Sequence, residues 1–417
     1  MSVGGASNIT IGGPLQALGD DPIALSLSGG GSQITLNDGA RLLGDFEAAD
    51  QTAASANKHT VTLSAVENAS YYYDFDDDYF RFLIDGVETE QASGFSAGTS
   101  NYATSLIMHE QHGEAQRQLF HELGSTNRNE PLKTIAYTHA VDDEIGERTF
   151  GLDVERAGFA QSLQGSIFDF FDAEIVLSSQ TASYAVDSNI YKLDSSYTGA
   201  GLGFSDLLSI GPFSLSAIAM AGIGEVDTTR RVYTNTNTLG FIDVKSSYDT
   251  TYLDIVYEAL FNMRVYGARK QPTRRNPYRI NLELAFGGSV HNEDRDSYSE
   301  STYVTTNGQN LVSISNMARL RGELVMRSQT SKHPMQFYGE LRYAMSSLTD
   351  GEDFSYTLAG SEITHEEDIE DVVTASLALG GQYRLDNNIA IDFSFNYADS
   401  DNDFSTISSS AAVTWRF

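Results

Sequence analysis

Three clusters in this chain have the residue types for chemistry. Gly94-Phe-Ser-Ala-Gly98 matches G-x-S-x-G, the turn that presents a serine nucleophile between a strand and a helix, with an acid and then a histidine later in the chain. His109, His112 and His121 follow, but all three fall on one predicted helix, too close to the motif to return as a separate triad member. No run of alternating strands and helices supplies the sheet such a hydrolase uses. A Gly/Ser linker around Ser96 is the better reading. No catalytic residue is assigned, and no enzymatic activity is expected. His109 and His112 stand three residues apart, so they share a helix face and could share a metal. Without a third ligand at a recognisable spacing, a polar pair is expected and no metal site is assigned. Tyr71-Tyr-Tyr-Asp-Phe-Asp-Asp-Asp78 gathers carboxylates suited to Ca²⁺, yet it lacks the glycine pattern of calcium loops.

Charge narrows the partners. The 417 residues carry a formal net charge of −31, which argues against nucleic acid, whose phosphates select a basic face. Nine carboxylates and no Lys or Arg lie between Asp350 and Asp371, the pattern of a solvated charge run. Arg269, Lys270, Arg274 and Arg275 make the Tyr266–Tyr278 connection basic, and a plain turn is expected there. There is no cysteine, so disulfides, thiol catalysis and thiolate metal sites are all excluded. Nothing points to a cofactor. The most apolar stretch, Phe213 to Val226, is interrupted by Ser and Gly and is too short to cross a bilayer as a helix. Any membrane crossing must therefore be a closed barrel. Met1-Ser-Val-Gly-Gly lacks the basic and apolar segments of a signal peptide, so a trimmed or partial chain is expected.

The elements that would position these groups are best read from the C-terminus. In Phe404–Phe417, Ile407, Ser409, Ala411, Val413, Trp415 and Phe417 share one face, while Ser408, Ser410, Ala412, Thr414 and Arg416 share the other. One face is apolar and ends in two aromatics; the other is polar. Ile389–Tyr397 alternates in the same way. The pattern predicts twelve strands near 131–141, 147–162, 172–183, 191–204, 211–227, 249–265, 279–291, 311–327, 335–347, 371–384, 389–397 and 404–417. Most reach the ten or so residues that a tilted strand needs to cross hydrocarbon. Connections 205–210, 328–334 and 385–388 are short, whereas 228–248, 292–310 and 348–370 are expected to be long polar loops. Before the strands, Ala103, Leu106, Ile107, Ala115, Leu119 and Leu123 recur at three- and four-residue steps. They predict a mostly polar helix of about 31–35 Å, suited to a polar lumen. Residues 1–100 hold short strand-like pieces between Gly, Asn and Asp turns, the texture of β-solenoid rungs.

Together these stretches resemble the C-terminal part of an autotransporter of type V secretion. Leu25–Gly44 is similar to the end of a β-helical passenger, Ala103–Leu123 to a linker helix in the pore, and 131–417 to the translocator barrel. The resemblance implies an all-β fold: a 12-stranded antiparallel transmembrane β-barrel with a lumenal α-helix and a short N-terminal β-helix remnant. It divides the chain into 1–100, 101–130 and 131–417. Val413, Trp415 and Phe417 match the terminal signal read by the barrel-assembly machinery. The implied partners are outer-membrane lipid, that machinery, periplasmic chaperones and the chain's own passenger, with the barrel acting as a monomer in a bacterial outer membrane. The adjacent asparagine pair at which one subgroup cuts itself is missing from the helix. Two other functions fit the same strands, a general outer-membrane porin and an outer-membrane serine esterase using Ser96.

Overall fold

The computed structural model describes all residues except 18–22, 38–39, 64–69, 75, 77, 85–86, 89–92, 97–99, 125–131, 144–151, 168–170, 187–190, 235–240, 268–271, 273–276, 301–303, 328–333, 352, 359–360, 367–370, 386–387, 402–403 and 416–417. Twelve long strands dominate it: β1 (Leu132–Asp143), β2 (Leu152–Ile167), β3 (Phe171–Val186), β4 (Tyr191–Ile210), β5 (Phe213–Thr234), β6 (Phe241–Gly267), β7 (Tyr278–Arg295), β8 (Gln309–Arg327), β9 (Pro334–Asp350), β10 (Val372–Arg384), β11 (Ile389–Ser400) and β12 (Phe404–Trp415). Each pairs antiparallel with the next in sequence. The ring closes where β12 returns to β1, from Leu132 opposite Trp415 to Asp143 opposite Phe404. Around the closed ring no strand edge is open, the condition for a sheet to sit in hydrocarbon.

Side-chain alternation settles which face meets what. Along β12, Thr406, Ser408, Ser410, Ala412 and Thr414 are buried in the interior, while Ile407, Val413 and Trp415 are about half exposed on the outside. The outer face elsewhere carries Phe159, Leu177, Leu202, Phe286, Leu341 and Phe395, each about half exposed. A soluble monomer does not display a belt of large apolar side chains on this scale. A bilayer accepts it.

The expected loops 228–248, 292–310 and 348–370 are largely strand, which corrects the sequence reading. β5 runs to Thr234 and β6 starts at Phe241, while Tyr298–Glu300, Val304–Thr306, Asp353–Leu358 and Ser361–Glu366 form a separate four-stranded antiparallel sheet. β6 alone has 27 residues, more than twice what a tilted strand needs to cross hydrocarbon, so this side of the barrel rises well beyond a bilayer. The basic residues Arg269, Lys270, Arg274 and Arg275 and the terminal Phe417 lie outside the described residues.

The N-terminal segment stacks parallel rungs. Asn8–Ile11, Gln33–Leu36, His59–Leu63 and Phe80–Ile84 form one ladder. Ser2–Gly4, Ile23–Ser28 and Asp45–Ala48 form a second, and Pro14–Gln16 pairs with Arg41–Leu43 in a third. Leu27, Ile34, Leu36, Val61 and Phe82 are fully buried between them. This is β-solenoid architecture. A short helix, Gln51–Ala56, is capped by the Asp50 side chain, which accepts from the Ala53 N–H at 3.0 Å. His59 sits in the same core, where Ser32 N–H donates to its Nδ1 at 3.2 Å. Burial holds the His59 imidazole below its ordinary pKa, with the Gly29 backbone opposing.

Candidate functional site: the helix-filled lumen

Residues Ser100–Gly124 form one helix of 25 residues. The segment suits a helix because Thr104 and Ile107 are its β-branched residues, it holds no proline, and glycine appears inside it once, at Gly113. The apolar stripe read from the sequence points inward to packing. Leu106, Ile107, Ala115, Leu119 and Leu123 are all buried, and Met108 and Phe120 join them. Ala103 lies on the helix, with its side chain outside what is described.

Of the described polar residues, His109, His112, Gln116 and Arg117 are buried and the others half-buried, and barrel side chains meet them from around the ring. Near one end, Leu106 packs in the same apolar cluster as the solenoid core. One turn on, His109 Nδ1 lies 3.1 Å from Glu293 Oε2 at the far end of β7. His139 of β1 bonds Gln111 through Nε2 at 3.0 Å, and Arg156 of β2 donates to the Gln111 carbonyl. Arg117 Nη1 donates to Ser289 of β7 at 3.3 Å, and Gln118 Nε2 to Ser408 of β12 at 3.1 Å. At the other end Ser394 of β11 donates to Glu122 at 2.5 Å, and Lys133, at the start of β1, donates to the Glu122 carbonyl. The helix therefore crosses the lumen once, from the solenoid mouth to the mouth where β1 begins.

Below the middle of the helix the wall carries a compact charge cluster. Arg319 of β8 grips Glu258 of β6 with two bonds, Nε to Oε1 at 2.8 Å and Nη2 to Oε2 at 2.7 Å. Its Nη1 reaches Glu340 of β9 at 3.1 Å, which also accepts from Arg342 at 2.7 Å. Arg321 lies over the Tyr338 ring at 3.7 Å. Bidentate, buried pairs of this kind are geometrically specific and rigid.

Close packing depends on small residues. A Cβ at Gly199 would stand 1.9 Å from Tyr252 Oη, and the Tyr252 ring lies edge-on to His112 at 4.6 Å. Tyr197 stacks on the other side of His112 at 4.0 Å. Gly113 brings the helix against β7, since a Cβ there would be 3.3 Å from His291 Cγ.

Other residues singled out in the sequence fall elsewhere. Ser96 ends the short strand Ser93–Ser96, which pairs with Ser70–Asp74, and Gly98 is outside the described residues. His109, His112 and His121 are inside the barrel, on a helix that Ser96 precedes. Asp76 and Asp78 are exposed, and the Asp78 N–H donates to Asp76 Oδ1 at 3.0 Å. Val413 and Trp415 face outward at the closing seam. The barrel partners of the helix, above all Glu258, His291, Glu293 and Arg319, were missed by sequence reasoning. Strand alternation marks them as inward-facing polar residues, but nothing in one sequence says which helix residue each one meets.

Twelve antiparallel strands closed around a helix that connects to a β-solenoid define a helix-plugged, membrane-type barrel. Neither a family model nor a curated protein matches the chain, but solved structures do. The translocator domain of the autotransporter NalP from Neisseria meningitidis matches with a TM-score of 0.57 at 15% identity, over 77% of this chain and 100% of that one. The transport unit of the autotransporter AIDA-I from Escherichia coli matches with a TM-score of 0.51 at 10% identity, over 76% and 97%. The chain has the fold of autotransporter translocator domains.

Proposed function

We propose that this chain is an outer-membrane autotransporter translocator, whose barrel inserts in the bilayer and exports or anchors the N-terminal solenoid segment at the cell surface. One observation carries the reading. The polypeptide passes through its own lumen as the Ser100–Gly124 helix, joining a solenoid at one mouth to the first barrel strand at the other. A general porin has no use for such a crossing, because the helix occupies the path a solute would take. Insertion is driven by transferring the outer apolar belt from water to lipid, about 1.5–3 kcal/mol for each large side chain, with strand-to-strand hydrogen bonds already complete. The barrel-assembly machinery, reading Val413, Trp415 and Phe417, and periplasmic chaperones are the partners this route calls for. We assign no catalysis to Ser96.

The test removes residues 101–123 and compares single-channel conductance in planar bilayers. A large rise over the intact chain supports a plugged translocator; equal conductance refutes it. An epitope placed before Ser2 is expected to be accessible to antibody on intact cells, and its confinement to permeabilised cells would overturn surface delivery. Esterase activity lost in Ser96→Ala would overturn the non-enzymatic assignment.

A further inference from the structure

We propose that the lumen holds a divalent transition-metal site of the zinc class, built by His109 of the helix with His291 and Glu293 of β7. The inference rests on the geometry of the lumen and not on the secretion reading.

One donor atom from each of the three residues lies within 4.8 Å of the others. His291 and Glu293 stand two apart on a strand, so both project to the same face. His109 descends on them from the helix, its ring 4.4 Å from that of His291. All three are shielded from solvent, at 0%, 1% and 0% exposure. A zinc–nitrogen bond is about 2.0–2.1 Å and a zinc–carboxylate bond about 2.0–2.2 Å, so small side-chain rotations bring the donors onto one ion.

The neighbours are those that a metal centre uses. Asp254 of β6 accepts a hydrogen bond from His291 Nδ1, and His291 Nε2 has no hydrogen-bond partner. A carboxylate on one imidazole nitrogen fixes the ring and turns the other nitrogen to a metal. His109 Nε2 is likewise without a partner. An unpaired buried polar atom carries a desolvation penalty, and coordination would remove it at His291, while His109 would bind through Nδ1, the nitrogen that faces Glu293. Glu293 Oε1 is held by Tyr197 at 3.1 Å and Thr250 at 3.2 Å. Oε2 accepts from Arg295 at 2.9 Å and faces His109 Nδ1 at 3.1 Å, which makes it the oxygen that shares an ion with His109, their present contact being replaced by the metal. Arg295 donates to Glu293, and Asp254 adds a second carboxylate beside His291. Two imidazoles and a carboxylate with a fourth position open is a borderline-soft set that suits zinc. Such an ion would tie the plug to the wall.

The experiment titrates zinc chloride into the full chain, folded in detergent micelles and stripped with EDTA, by isothermal calorimetry. One zinc per chain is expected, with affinity abolished in His109→Ala and His291→Ala. Asp254→Asn is expected to weaken binding about 10–100-fold, and His121→Ala to leave it unchanged. X-ray absorption at the zinc edge of the loaded wild-type chain gives a readout without variants. It should show imidazole nitrogens and a carboxylate oxygen at about 2.0–2.2 Å from the ion. Absence of stoichiometric zinc binding by the folded wild type, undiminished binding in both histidine variants, or a zinc spectrum without imidazole scattering would each overturn the site.

Discussion

Arg319 and Glu258 look like equal partners, but their surroundings make the two removals unequal. In Glu258→Gln, Arg319 keeps Glu340 at 3.1 Å and Glu283 at 3.6 Å, and the amide oxygen still accepts one bond. The loss is one charged contact, about 1.5–3 kcal/mol. In Arg319→Met, Glu258 loses both of its short bonds and, among the described residues, retains His121 at 4.0 Å as its ion-pair partner. Glu283 and Glu340 are then shared between Arg321 and Arg342, with Arg321 no closer than 3.8 Å to either. A buried charge stripped of its partner costs about 3–5 kcal/mol. The centres of these ranges lie about 1.75 kcal/mol apart, so the two variants should differ by roughly twentyfold in unfolding equilibrium, since about 1.4 kcal/mol is a factor of ten. The double variant should be less destabilised than the sum, because Glu258→Gln removes the charge that Arg319→Met strands. Equilibrium urea unfolding in micelles reads this through the one tryptophan of the chain. Trp415 sits at the closing seam opposite Leu132 and Ile389, so its emission follows barrel opening. Equal destabilisation by the two variants, or strict additivity in the double, would show the cluster to be solvated and refute the argument.

Three further outcomes follow from the same geometry. Gly199→Val should displace Tyr252 from beside His112 and lower stability by about 1–3 kcal/mol, as overpacking does, while Gly165→Ala, with nothing within 4 Å of the new Cβ, should leave the urea midpoint in place. Leu379→Arg puts a charge on the outward face, where Leu379 is 55% exposed. It should cost about 2–4 kcal/mol if that depth is the bilayer midplane, and an unchanged midpoint in lipid vesicles would argue against a lipid-facing surface. The folded-state pKa of His59 lies below its ordinary 6.5, and Nδ1 already accepts from Ser32. The unfolded solenoid then binds the extra proton first, so its stability is intact above pH 6.5 and declines as pH falls below it. Limited proteolysis of residues 1–63 should quicken on acidification, and His59→Gln should flatten that dependence. Protection that grows with acid would contradict it.

The strands were legible because lipid outside and a polar lumen inside impose a strict period of two, as in Ile389–Tyr397, where Ala390, Ser394 and Asn396 are buried and Ile391, Phe393, Phe395 and Tyr397 are exposed. The pore helix was legible for the matching reason, a change of period to three and four. Where neither solvent was hydrocarbon the signal faded. Asp353–Leu358 and Ser361–Glu366 pair as a hairpin, yet their Asp, Glu and Ser content reads as a loop, since a strand outside the bilayer has no face that must be greasy. The metal candidate was half visible. His109 and His112 marked a helix face, but His291 and Glu293 lie about 180 residues away in sequence, and strand register against a lumenal helix is a tertiary quantity that one sequence does not encode locally.

The solenoid poses a different question, because a short stack of rungs leaves apolar surface at its end and a bare strand edge beside it. The barrel mouth answers both. Val232 of β5, Val244 of β6 and Leu311 of β8 are buried in the same cluster as Leu27, Ile34, Phe46 and Phe82, so the apolar core of the solenoid continues into the inner wall of the raised strands. Ser70–Tyr72 pairs parallel with Val232–Thr234, which gives the strand leaving the stack a partner on β5. The unusual height of β5 and β6 thus has a structural use: strands that stopped at the membrane surface would offer neither these side chains nor this edge.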